Sequence, residues 1–222
     1  MTLVRRWQRI GLLGGIAGFV LVALDVRFDG ALAHADASVN AWMDGAAANG
    51  WPVRTFGDAL SQPGWLPVST VLVAGAVAWM LRCREMRLAG STAAGGLATL
   101  ALTNILKAAF RRPLPPAAAT AHPESFAFPS GHTLAATAAL GLAIFLSVEA
   151  WQRRVRPSQA AGRRAWTISI VAWGLLSLAV GVARVLAGAH WMSDVLASWV
   201  LGTAMVCAGL LAVRVPHARL GS

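Results

Sequence analysis

Three polar stretches of this 222-residue chain carry side chains able to move a phosphoryl group. The densest is Ala183–Asp194, ARVLAGAHWMSD, in which Arg184 is followed six residues on by His190, and His190 four residues on by Asp194. Across one helical turn the Asp194 carboxylate reaches the His190 ring and holds the proton of one nitrogen. The other nitrogen keeps its lone pair free to attack. Arg184 brings a planar donor fork that matches phosphate oxygens. The second stretch, Pro129-Ser130-Gly131-His132, opens an apolar run. A helix start presents unpaired N–H groups and the positive end of the dipole, and so binds anions. Gly131 lets an oxygen approach the backbone, Ser130 adds a hydroxyl, and His132 can protonate a departing oxygen. An N-cap serine beside a bystander histidine would read the same in isolation. The third stretch closes another apolar run with Lys107, Arg111 and Arg112. A bound phosphoryl group carries roughly −1.5 to −2 charges, so two or three converging cations are in proportion. Snorkelling interfacial charge is the plainer alternative.

The composition says what kind of element must position these groups. Hydrophobic residues make up 57% of the chain and charged residues 13%, and the mean hydropathy is +0.60. A soluble domain carries about 25% charged residues, so this is an integral membrane protein. The formal charge of +10 does not point to nucleic acid, because the charges cluster in short segments flanking apolar runs. Cys83 and Cys207 are too few for a disulfide framework and read as packing residues.

Taken in order, the chain predicts an all-α fold: one domain over 1–222, a bundle of six transmembrane helices with short interfacial helices between the first two. The spans fall at about 10–24, 65–81, 88–106, 130–148, 166–183 and 191–213. Gly11/Gly15 and Gly14/Gly18 in the first span are small-residue pairs that let a neighbouring helix approach. Ala31-Leu32-Ala33 could pass for a signal-peptide cleavage site, but the charged DVRFDG before it favours a retained helix. Between Asp25 and Trp65, Val39, Trp42 and Met43 suggest one apolar face and Phe56 and Leu60 another, as helices lying at the membrane surface would have.

With the N-terminus inside, the cytoplasmic tails and turns hold 13 of the 19 Lys and Arg residues, by the positive-inside rule. Trp7, Trp65, Trp79, Trp151, Trp166 and Trp191 fall near the predicted interfaces. The six outer cations are Arg27, Arg54, Lys107, Arg111, Arg112 and Arg184, four of them in the stretches able to do chemistry. Lys107–Pro116, Phe128–His132 and Arg184–Asp194 therefore all emerge on the non-cytoplasmic face. The expected setting is a bacterial inner (plasma) membrane, with the site facing the periplasm or exterior.

Taken jointly, these residues resemble the type 2 phosphatidic acid phosphatase superfamily of membrane lipid phosphatases, which shares its catalytic core with vanadium haloperoxidases. The family pattern is a lysine followed by Arg-Pro, then PSGH, then an arginine, five residues, a histidine, three residues and an aspartate. Pro129–His132 and Arg184, His190 and Asp194 match the second and third parts in order and spacing. The first part departs: six residues past Lys107 stands Leu114-Pro115, and an Arg-Pro occurs two residues early at Arg112-Pro113. Arg112 or Arg111 is expected to replace the missing cation, Arg111 sharing the face of Lys107 if the helix continues that far.

The resemblance implies that His190 attacks phosphorus and forms a phosphohistidine, oriented by Asp194, while His132 protonates the leaving alkoxide. Lys107, Arg112, Ser130, Gly131 and Arg184 would hold the equatorial oxygens, with no metal or other cofactor required. The expected partners are a phosphorylated lipid substrate and the surrounding membrane lipids. A lipid phosphotransferase with the same intermediate, and a non-catalytic lipid- or anion-binding relative, are the alternatives.

Overall fold

The computed structural model describes residues 2–120 and 124–213, with side chains from Arg5 onward. His122, His217, Arg214 and Arg219 lie outside the described residues. Every regular element among the described residues is helical. In order these are α1 (Thr2–Arg27), α2 (Ala31–Ala48), α3 (Val53–Leu60), a 3-10 turn (Gln62–Gly64), α4 (Leu66–Arg82), α5 (Met86–Phe110) and the short α6 (Pro116–Ala119). Then come α7 (Gly131–Leu134), a π turn (Ala135–Ala139), α8 (Leu140–Val155), α9 (Gln159–Leu186) and α10 (Met192–Ala212).

Among the described residues, five helical segments are long and apolar enough to cross a membrane: Arg5–Arg27, Met86–Phe110, Gly131–Val155, Gln159–Leu186 and Met192–Ala212. The sixth expected span is the shorter apolar helix Leu66–Arg82, of 17 residues. Most helices run past the apolar stretches read from sequence, because their polar flanks continue the same backbone hydrogen bonding as far as the next cap.

The segment Gly131–Val155 is the axis of the bundle, buried along most of its length. Its lower half packs Leu142, Phe145 and Leu146 against Met80, Leu88 and Val206 in the largest apolar cluster. Its upper half is broken by the π turn, where the Trp173 indole N–H bonds to the Thr137 carbonyl at 2.8 Å. Such a turn frees a carbonyl from the regular ladder, and here an aromatic of α9 takes it up. Around this axis α1 lies against α10. A Cβ on Gly15 would stand 2.6 Å from the Val200 carbonyl oxygen, so only glycine permits that approach. Gly11 and Gly18 face the same helix, whereas Gly14 faces open space and has no part in the predicted pairing.

The polar interlude folds as α2 and α3 at the end of the bundle that carries all three candidate stretches. Asp25 starts α2 by accepting the Ala33 N–H at 3.1 Å. Asp36, Asn40 and Met43 form the buried side of α2, while Trp42 stays exposed. Gly57 seats α3 on the last turn of α9, where a Cβ would meet the Ala183 carbonyl at 2.6 Å. Phe56 and Leu60 point outward. Cys83 and Cys207 are free thiols.

Candidate active site

The Arg184–His190 spacing is the length of a helix stop. Gly188 takes a φ of +65°; its N–H bonds to the Val185 carbonyl at 2.9 Å, and the Ala189 N–H to the Arg184 carbonyl at 3.1 Å. This is the paired closure that ends a helix at a left-handed glycine, and it turns the chain back so that His190 follows directly. Trp191 then caps α10, with the Asp194 Oδ2 accepting its backbone N–H at 3.0 Å. The same Oδ2 stands 3.5 Å from His190 Nδ1, within ion-pair range but longer than a formed hydrogen bond. Because Nδ1 faces the carboxylate, Nε2 is the nitrogen left for chemistry. His190 is 6% exposed. Burial pushes its imidazole below the usual histidine range, the Asp194 carboxylate pulls the other way, and Lys107 and Arg184 push it further down.

Ser130 ties the second stretch to the third. Its backbone N–H donates to the Asp194 carbonyl at 3.3 Å, and the Ser198 hydroxyl bonds both the Ser130 carbonyl at 3.1 Å and the Asp194 carbonyl at 2.7 Å. The Ser130 hydroxyl accepts from Thr133 at 3.0 Å, which leaves its own proton to donate elsewhere. His132, two residues on, lies within electrostatic reach of Arg184, His190 and Lys107. Lys107 is held near the cluster by a hydrogen bond from its ammonium to the Phe126 carbonyl. His190, His132, Asp194, Lys107, Ser130, Gly131 and Arg184 are thus brought together.

The arginines of the first stretch are placed otherwise. Helix α5 ends at Phe110 and Arg111 adopts a left-handed φ of 46° as its cap. That twist turns the side chain outward, where its Nε bonds the Ala108 carbonyl at 3.2 Å. Arg111 is exposed and does not join Lys107, contrary to the expectation that the helix would carry it there. Arg112 turns inward but towards carboxylates: its guanidinium donates to Asp194 Oδ1 at 2.6 Å, to the Ser193 hydroxyl at 2.7 Å and to Asp36 Oδ2 at 2.7 Å. It also lies 5.5 Å from the Trp191 ring centre. Its fork is directed behind Asp194, to two carboxylates and a hydroxyl. Leu114, where the family arginine was expected, is buried.

Arg184 has the opposite character. One terminal nitrogen donates to the Ser61 hydroxyl at 3.1 Å and approaches Asp58 at 3.4 Å. Its Nε is buried without a partner, as is His190 Nδ1. Among the described residues a third such atom is Ser177 Oγ, so two of the three orphaned buried atoms sit in this cluster. Buried polar atoms are nearly always paired; His190 Nδ1 has the Asp194 carboxylate beside it, whereas the unpaired Arg184 Nε is a donor that suits an anion.

Asp36, Ser193, Asp58 and Ser61 were not singled out from the sequence. Asp36, Asn40 and Met43 follow helical spacing on one buried face, and a carboxylate on that face was the available signal. Glu124 is exposed, as is His34. Among the described residues no group of three or more His, Cys, Asp or Glu is arranged to hold a metal ion.

Beside His132 opens a groove of about 660 Å³ between α4 and α5. Its wall runs from Trp65 and Leu66 through Val73 and Val77 to Leu81, faced by Leu97, Leu100 and Thr103. At about 1.5 Å per residue it follows α4 for about 24 Å, and its polar end is Gly131 and His132.

A sequence model of the PAP2 superfamily matches residues 84–217, and that span contains all three candidate stretches. The chain belongs to the PAP2 superfamily. Its fold is that of a solved PAP2 protein, described as the first transmembrane PAP2 type phosphatidylglycerolphosphate phosphatase from Bacillus subtilis. The two superpose with a TM-score of 0.74 over 94% of this chain and 100% of that one, at 19% identity. No curated protein matches the chain by sequence. Membership in the PAP2 superfamily is therefore carried by the motif-bearing half, and the likeness of fold extends across the N-terminal helices as well.

Proposed function

We propose that the protein hydrolyses a lipid phosphomonoester or diphosphate at the extracytoplasmic face, through a phosphohistidine intermediate. The observation that carries this reading is the convergence, at one end of the bundle, of a buried histidine backed by a carboxylate, a second histidine, and two cations on separate helices. His190 Nε2 attacks phosphorus; the N–P bond forms as the P–O bond to the lipid breaks, and His132 donates a proton to the departing oxygen. Water then gives up a proton to His132 and attacks phosphorus, the N–P bond breaks, and phosphate leaves. Lys107, Arg184, the Ser130 hydroxyl and the backbone N–H groups at the start of α7 hold the equatorial oxygens as charge develops. Arg112 serves from behind, by fixing Asp194.

The groove between α4 and α5 supports a lipid substrate. A hydrocarbon chain laid along its apolar wall brings its phosphorylated end to His132, and burial of that chain contributes about 25 cal/mol per Å². With Leu66–Arg82 as a sixth span, the positive-inside rule orients the cluster outward, and α2 and α3 lie over it at the membrane surface.

The test is phosphate release in detergent, with EDTA present, from phosphatidate, phosphatidylglycerophosphate, undecaprenyl diphosphate and lipid A phosphates. At least one should turn over in wild type and none in His190→Ala. Tight phosphate binding with no turnover would sink the reading, and turnover lost in EDTA would point to metal chemistry.

A further inference from the structure

Asp36 lies outside every stretch that matches the family, on the helix that precedes the second apolar segment, yet it is 2% exposed. Both of its oxygens are engaged. Oδ1 accepts the backbone N–H of Ser193 at 2.9 Å, one of the unpaired donors in the first turn of α10. Oδ2 accepts from the Ser193 hydroxyl and from Arg112 at 2.7 Å. The same guanidinium reaches Asp194 Oδ1 at 2.6 Å. Asp36, Arg112, Asp194 and His190 therefore form an unbroken chain of contacts, each carboxylate almost fully buried. A buried charge left without its partner is costly and is commonly retained for something other than stability.

We propose that Asp36 is a positioning residue for the reaction at His190: by sharing the Arg112 cation, it sets how much negative charge Asp194 presents to the imidazole. This rests on the phosphatase reading for its effect on rate. Asp36 and Asp194 compete for one guanidinium, so the buried set carries a net charge of −1. That charge faces the positive charge that develops on His190 as Nε2 bonds to phosphorus. Neutralising Asp36 leaves Arg112 to Asp194 alone, and the imidazolium loses support. The other charged or titratable groups facing His190 are Lys107 on α5, Arg184 on α9 and His132 on α7, and none of these contacts Asp36.

The experiment is a comparison of wild type, Asp36→Asn, Arg112→Gln and the double variant, full length in detergent. It has two readouts: the His190 titration midpoint by NMR of labelled histidine, assigned by difference with His190→Asn, and steady-state phosphate release. Asp36→Asn should lower the midpoint and reduce kcat by about 10- to 100-fold, the scale for orienting partners behind a reacting group, with KM nearly unchanged. Arg112→Gln should raise the midpoint. The double variant restores the net charge, and its midpoint should return to or just above the wild-type value, with kcat above that of Asp36→Asn. If Asp36→Asn does not fold, Arg112→Gln and the double variant carry the same ordering. A midpoint unmoved in Asp36→Asn, or a double variant no higher than that single variant, overturns the proposal. Failure of wild type to release phosphate from any lipid would refute the phosphatase reading and leave the titration to judge Asp36 separately.

Discussion

Two arginines flank the Asp194–His190 pair, and they are held in opposite ways. Arg112 spends its fork on two carboxylates whose side chains are 1% and 0% exposed. Arg184 meets a serine and a carboxylate that is 64% exposed, and keeps a buried donor unpaired. Guanidinium groups are chemically identical, so the environment assigns the work. A fork closed on buried anions holds the Asp194–His190 pair in place, while one with a free buried donor and a weakly held partner is open to an incoming anion. Attraction to an exposed carboxylate is largely screened by solvent, so the Arg184–Asp58 contact is cheap to break, whereas the buried contacts of Arg112 to Asp36 and Asp194 are not.

The largest expected effect tests what both arginines serve. His190→Ala should reduce phosphate release to the buffer background while inorganic phosphate still binds, because Lys107 and Arg184 remain. His132→Gln comes next. It should lower kcat by about 10²- to 10⁴-fold on a lipid alkoxide leaving group, and far less on p-nitrophenyl phosphate, whose leaving group needs no proton. Equal losses on the two substrates would remove His132 from the acid role.

The arginines themselves should separate by readout. Arg184→Gln should cost about 10²- to 10³-fold in kcat, the scale of a lost oxyanion donor, and weaken inhibition by phosphate. Arg112→Gln should leave phosphate inhibition nearly intact. It should instead lower the unfolding midpoint in detergent, since breaking a buried pair costs about 3–5 kcal/mol. Reversed outcomes would break the comparison outright.

A smaller effect lies in the pH profile. Burial holds the His190 imidazole below the usual histidine range. A lowered value keeps the ring neutral and nucleophilic to lower pH, so the acid limb of kcat/KM should fall below about pH 6.5. Asp194→Asn removes the group that raises it, which should move the limb further to acid as the rate drops. The least effect belongs to Asp58→Asn, which should lower KM by less than about threefold and leave kcat unchanged, as fits an exposed ion pair.

Much of this architecture was legible in the chain. The apolar runs located the helices because a membrane-spanning segment must be both long and uncharged. The first stretch was not legible in the same way. Its expected continuation of α5 to Arg111 failed because the helix closes at Phe110, with Pro113 and Pro115 beyond it. The polar interlude could be read as helical, but no local pattern tied Asp36 to Ser193, 157 residues away. Gly14 likewise looked equivalent to Gly15 until the facing helix was known.

By itself, then, the order of residues determined which chemical groups were available, the helices that carry them and the single end of the bundle where they gather. Spacing and hydropathy act locally, and local rules suffice for that. Only the packed structure decided which arginine closes on Asp194 and which keeps a buried donor unpaired. The direction of a side chain at a helix end depends on where the last turn closes and on which buried charge lies opposite, and that partner came from a distant helix.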